Sequence, residues 1–206
     1  MIKVQNYIIL GIGTDIGKTF FVENICRNFP NFFAIKPLIS GFEDPKNSDS
    51  GKILQSLNLE INKKNLDEIS PWRFEKAVSP NFVSNIDLVE IINFCRKKIE
   101  YCRVNNLSLL IEGVGGIMSP INQKNNFLDI AKILNLPIIL VSSNYLGAIS
   151  HSLSAIKAIE SYDLQIYKII VNEHQEMPVA TVDFINCLKD FCNYEIEIMQ
   201  NFIKKT

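Results

Sequence analysis

Little in this chain points to a crosslinked, membrane-bound or polyanion-binding protein. Its five cysteines include no Cys-x-x-Cys pair, which leaves neither a disulfide framework nor a zinc site and fits a reducing compartment. Charge of one sign is missing too. The 21 basic and 22 acidic residues leave a net charge of −1, so no global field favours nucleic acid. The one basic run, Arg96-Lys97-Lys98, falls in a helical pattern and reads as a solvated face. No stretch approaches the ~18 consecutive apolar residues that a membrane span needs. The N-terminus enters strand residues without a basic-then-apolar leader. A cytoplasmic protein with no nucleic-acid and no membrane partner is expected. Repeats, low-complexity tracts and linkers are also lacking, so residues 1–206 read as a single domain. With 47% hydrophobic residues the core is well supplied.

What is there is organised around Ile8-Ile9-Leu10-Gly11-Ile12-Gly13-Thr14-Asp15-Ile16-Gly17-Lys18-Thr19. An apolar strand runs into a glycine-punctuated turn that ends in Gly-Lys-Thr at the head of a helix. Glycines let successive backbone N–H groups point inward at an anion, and the helix N-terminus adds partial positive charge. Lys18 brings a full charge to the β- and γ-phosphates, and the Thr19 hydroxyl is a Mg²⁺ ligand candidate. The loop is stretched: five residues, not four, separate Gly11 from Gly-Lys-Thr. This pattern predicts a nucleotide site.

Apolar runs predict strands at residues 7–10, 32–35, 107–111, 137–141 and 166–171, and helical periodicity covers 17–28, 48–57, 87–104, 127–134, 147–162 and 179–191. Residues 38–41 and 43–50 read as loop, and 58–82 as the least regular part. Strands that alternate with helices and read as continuous apolar runs predict an α/β fold. It is a doubly wound, mostly parallel sheet with helices on both faces, of P-loop NTPase type.

In such a sheet the ligand crevice lies beyond the carboxyl ends of the strands. Four strand ends bring Lys18 and Thr19, Lys36, Glu112 and Asn172 to that rim. Glu112 follows a buried strand, where it can complete a Mg²⁺ shell or cap a turn. Asp49 lies in a polar stretch and reads equally as a metal ligand or a surface acid. Lys36, between a buried strand and Pro37, reads as a rim lysine. Gly113, Val114 and Gly115 allow a second close approach of backbone to ligand. His151 and His174 lack partners at metal-ligand spacing and read as structural or solvated.

Together these blocks resemble the dethiobiotin synthetase family. Gly11 to Thr19 is similar to its Gly-Thr-Asp-Thr-Glu-Val-Gly-Lys-Thr. Lys36-Pro37-Leu38-Ile39-Ser40-Gly41 is similar to its Lys-Pro-x-x-Ser/Thr-Gly, and Asn47-Ser48-Asp49 to its Asn-Ser-Asp. Glu112-Gly113-Val114-Gly115-Gly116 with Pro120 resembles its Glu-Gly-Ala-Gly-Gly-x-x-x-Pro, and Leu146-Gly147-Ala148-Ile149-Ser150-His151 its Leu-Gly-x-Ile-Asn-His. The resemblance implies ATP-dependent carboxylation and ring closure of 7,8-diaminopelargonic acid with CO₂. It also implies a homodimer with the substrate site at the subunit interface. By the same resemblance Asp15, Ile16, Gly17, Lys18, Thr19 and Phe20 cradle ATP, and Thr19, Asp49 and Glu112 hold Mg²⁺. Lys36 and Lys18 are catalytic. Thr14, also assigned to catalysis, and Ser40 meet the diamine or its carbamate. Gly147, Ala148, Ile149 and Ser150 bind its carboxylate, and Asn172 reads the adenine. Three positions depart from the pattern: Gly13 stands for Asp, Asp15 for Glu and Ser150 for Asn. Two rivals remain at this level, a P-loop ATPase switch and a relative that binds nucleotide without making dethiobiotin. The switch class carries a signature lysine where this chain has Gly13.

Overall fold

A computed structural model describes residues 3–174 and 178–204. Six strands form one parallel sheet: β1 (Tyr7–Gly11), β2 (Phe32–Ile35), β5 (Ser108–Glu112), β6 (Ile138–Ser143), β7 (Ile166–Asn172) and β8 (Ile196–Ile198). Their spatial order is β2-β5-β1-β6-β7-β8. Every residue of β1, β5 and β6 is buried, as continuous apolar runs covered on both faces require. The helices pack in three groups. Helix α1 (Lys18–Asn28) contacts α2 (Asp49–Ser56) and α8 (Met199–Lys204), while α4 (Leu88–Val104) contacts α5 (Phe127–Leu134) and α6 (Ala148–Ser161) contacts α7 (Thr181–Lys189). Among the described residues no helix is long and apolar enough to cross a membrane.

The strand order positions the site. From β1 the chain leaves toward β2, whereas from β5 it leaves in the opposite direction, over β1, to β6. The carboxyl ends of β1 and β5 therefore open a crevice at a topological switch point. Register then sets neighbours: Ile9 pairs with Glu112, and Ile35 with Ile111. The residue after Ile35 is Lys36, so it comes level with Glu112.

The structure departs from the sequence expectation in three places. Residues 38–41, expected as loop, include strand β3 (Leu38–Ser40), which pairs in parallel with β4 (Trp72–Phe74) as a separate two-stranded sheet. The stretch 58–82, expected to be irregular, holds α3 (Lys63–Ile69), β4 and a 3₁₀ turn at Pro80–Phe82. Beyond 191, where no element was expected, β8 and α8 close the sheet edge. They are fastened by Lys168, whose ammonium donates to Glu195 and Glu197 at 2.8 Å each and lies 5.1 Å from the centre of the Phe202 ring. Burial opposes the Lys168 charge, but the bonds and charges of the two glutamates outweigh it and raise its pKa.

Candidate functional site

The turn after β1 delivers Gly17 to the N-cap of α1 at φ +98°, with no side chain capping the helix. The first N–H groups of α1 are thus left for an external acceptor, the condition under which a helix N-terminus binds phosphate. Asp15 also sits in the left-handed region, at φ 56°. Asp tolerates that backbone better than longer side chains do, so this departure from the family pattern suits its local geometry. Lys18 folds back along the loop and donates to the Gly13 carbonyl at 2.7 Å. Burial, reinforced by the nearby Lys36 charge, lowers its pKa to about 8.

Asn172, at the end of β7, donates to the Ile16 carbonyl at 3.2 Å and locks the far side of the same turn. A Cβ at Gly17 would overlap the Asn172 amide nitrogen, in a backbone conformation that L side chains rarely adopt. Gly17→Ala is therefore expected to lose nucleotide binding by at least ~10²-fold and to destabilise the fold by about 1–3 kcal/mol. Pairing it with Asn172→Ala removes the overlap but not the φ penalty, so binding by titration calorimetry should recover only in part.

The second half of the site is a charge constellation. Lys36 is 5% exposed and Glu112 0%. The Lys36 ammonium donates to Glu112 Oε1 at 2.7 Å and to Asp49 Oδ2, and the Thr19 hydroxyl donates to the same Glu112 Oε1 at 2.6 Å. Asp49 is the first residue of α2, whose start is fixed by the Ser48 hydroxyl accepting from the Gly51 N–H at 3.1 Å. Burial opposes the Lys36 charge, yet Glu112 and then Asp49 raise its pKa. Burial likewise works to raise the Asp49 carboxyl, but Lys36 holds it below the usual range. Glu112 thus binds side chains and does not cap a turn.

The set fits a hard divalent cation. Glu112 Oε2 is buried with no hydrogen-bond partner, and a hydroxyl and a second carboxylate converge beside it. Among the described residues no three His, Cys, Asp or Glu side chains form a cage for a metal. Such a site suits Mg²⁺, which keeps waters and phosphate oxygens in its shell.

A cavity of about 500 Å³ joins the two halves. Thr14, Asp15, Gly17, Lys18, Thr19, Phe20, Lys36, Ser40, Asp49, Glu112, Val114 and Gly115 line it, and the buried Ser40 hydroxyl has no partner there. Ile16 is buried and Gly113 packs against Leu10 and Phe127, so neither lines the cavity. Gly147, Ile149 and Ser150 border a different, apolar pocket with Tyr145 and Leu153, at the uncapped start of α6. Both histidines flank Tyr145, which hydrogen-bonds His151 Nδ1 at 2.8 Å. Lys52, which no motif singled out, also lines the cavity, together with Ile39 of the Lys36–Gly41 block and the 77–80 segment, whose Ser79 hydroxyl donates to the Pro120 carbonyl at 3.1 Å.

A parallel sheet with a Gly-Lys-Thr loop at its switch point and an acidic residue on the adjoining strand defines a P-loop nucleotide-binding protein. Solved structures share the fold. The MinD cell division protein of Aquifex aeolicus covers 98% of this chain over 86% of its own, with TM-score 0.53 and 19% identity. A ParA family ATPase from Chlorobium tepidum TLS covers 95% over 83% of its own, with TM-score 0.56 and 12% identity. A family described as an AAA domain matches residues 5–196. The ATP-dependent dethiobiotin synthetase BioD of Legionella pneumophila strain Paris is 32% identical over 205 residues, 97% of this chain and 94% of that protein. Its counterpart in Methylobacterium nodulans is 31% identical over 189 residues, 85% and 84%. The chain belongs to the dethiobiotin synthetase family.

Proposed function

We propose that this chain converts 7,8-diaminopelargonic acid, CO₂ and ATP into dethiobiotin, ADP and phosphate. One amine takes up CO₂ as a carbamate, and the carbamate oxygen then attacks the γ-phosphorus of ATP and expels ADP. The second amine attacks the carbonyl of the resulting carbamic–phosphoric anhydride, and phosphate leaves as the ring closes. The observation that carries the reading is the buried Lys36 held between Glu112 and Asp49 beside Thr19, within one cavity with the P-loop.

An anionic nucleophile must meet an anionic phosphate, so the protein's task is to position charges and offset their repulsion. Lys18 lies along the loop where the β- and γ-phosphates would run, and Lys36 lines the same cavity close enough for its charge to act on Lys18. Thr14 and the Ser40 hydroxyl, which has no partner of its own, are suited to the amine or its carbamate. Mg²⁺ on Thr19, Asp49 and Glu112 would supply Lewis-acid charge at the phosphate oxygens. Asn172 braces the P-loop at the side where the adenine would lie.

The uncapped start of α6, at Gly147, Ala148, Ile149 and Ser150, would take the substrate carboxylate. The family resemblance implies a homodimer in which one subunit's α6 serves its partner's cavity, and the separation of this pocket from the P-loop cavity is compatible with that. The reading includes a single domain and a cytoplasmic setting. The ATPase-switch alternative is not favoured, since the switch structures share only the fold and Gly13 stands where that class has its signature lysine. Phosphate release from Mg-ATP and bicarbonate, with and without the diamine, tests the reading. Release that depends on the diamine, with a product of the mass of the cyclic urea, is expected; release indifferent to the diamine would overturn it.

A further inference from the structure

The cavity lining sets three lysines, Lys18, Lys36 and Lys52, against three acids, Asp15, Asp49 and Glu112. Lys36 donates to two carboxylates, and Lys18 rests on the Gly13 carbonyl, a loop contact that a phosphate oxygen would replace. One cation on the wall is uncommitted. Lys52 lies one turn beyond Asp49 on α2, is exposed, lines the cavity, and makes no ion pair among the described residues. Its helix is firmly set. The Lys52 N–H donates to the Ser48 carbonyl at 3.0 Å, and Gly51 packs so tightly on the Pro45 carbonyl that a Cβ would overlap it. The ammonium acts electrostatically on Asp49 and on Glu23. Glu23 sits on α1 one turn beyond Thr19, so the Lys52 charge lies on the side where Thr19 and Asp49 converge. The start of α6 borders a different pocket.

We propose that Lys52 is a nucleotide-binding residue that grips the terminal phosphate of a nucleoside triphosphate and so distinguishes the triphosphate from the diphosphate. It reaches the phosphate chain from the α2 wall while Lys18 reaches it from the P-loop. Loss of the γ-phosphate in turnover removes the Lys52 contact, which loosens the spent nucleotide. The inference rests on the nucleotide-binding half of the proposed function and not on the identity of the second substrate.

Dissociation constants for ADP and for a β,γ-imido triphosphate analogue, both with Mg²⁺, test it in the wild type, Lys52→Ala and Lys52→Arg. A charge-assisted hydrogen bond at a partly wet site predicts about tenfold weaker binding of the analogue to Lys52→Ala. ADP should change less than ~2-fold, and Lys52→Arg should recover most of the loss because it restores the charge. The selective loss should also shrink at high salt, where exposed charges are screened. Equal weakening of both nucleotides, or no change in either, overturns the proposal. Thermal unfolding of Lys52→Ala guards against a general loss of fold, with Lys52→Gln as the second variant. If the wild type binds neither nucleotide, the P-loop reading falls and this one with it. If a triphosphate-selective loss appears without diamine-dependent turnover, Lys52 keeps its role and the dethiobiotin reading falls.

Discussion

Lys36→Ala is expected to reduce kcat/KM at least ~10²-fold, the size seen when one preorganised charge donor is removed from a developing anion. It is also expected to lower stability. Because two like-charged groups must meet in the reaction, the sequence leads to the expectation that losing Lys36 costs rate more than fold stability. The structure adds a stability cost to that expectation, because the ammonium is buried and binds two carboxylates. Without it Glu112 keeps only the Thr19 hydroxyl, inside a core where unpaired charge is costly. Breaking a buried pair costs about 3–5 kcal/mol, and the one-third exposure of the Asp49 side chain favours the lower end. At roughly 2–4 °C per kcal/mol for a chain of this size, Tm should fall by about 6–12 °C in the presence of a chelator. A divalent cation would replace part of the missing positive charge, so Mg²⁺ should restore part of the Tm but little of the rate. Thermal unfolding with EDTA and with Mg²⁺, beside steady-state kinetics, separates the two effects. A variant as stable as the wild type in EDTA would show that the carboxylates do not depend on Lys36.

The sequence made the P-loop and its neighbours legible because their signals are local. Gly-Lys-Thr after an apolar run identifies both the strand–helix junction and the ligand. Glu112 and Lys36 each stand at the end of a buried run, so their common edge follows from the rule for parallel sheets. Their direct contact does not follow, because it depends on β5 lying between β1 and β2 and on the Ile35–Ile111 register. Strands β3 and β4 were illegible for a related reason. Each is three residues long, and 31 residues separate Ser40 from Trp72, so only the tertiary structure supports them. At the C-terminus a signal was present: Glu195-Ile196-Glu197-Ile198 alternates with period two. It is short, and its meaning depends on a lysine in β7 that would otherwise be a buried charge without partners. The helix that carries Lys52 was legible at 48–57, but the cavity wall it forms with Asp49 was not, because that wall depends on how α2 packs beside the P-loop.

Glu112→Gln separates charge from shape at the centre of the site. The amide oxygen can still accept from Thr19 and Lys36, and Lys36 keeps Asp49, so the local hydrogen bonds and most of the stability should survive. What changes is the other atom. Glu112 Oε2 is buried without a partner, and in the variant an N–H₂ group points where an oxygen ligand for a cation would be needed. An amide nitrogen cannot ligate Mg²⁺ and presents positive hydrogens to it. The expected result is a loss of at least ~10²-fold in kcat/KM, comparable to losing a preorganised electrostatic group. The Mg²⁺ concentration for half-maximal rate should rise, with Tm within a few degrees of wild type. ADP binding in the absence of metal should change little, because the P-loop and the start of α1 are untouched. If Glu112→Gln keeps the wild-type Mg²⁺ dependence, the carboxylate serves only to hold Lys36, and the metal must rest on Thr19, Asp49 and the nucleotide alone.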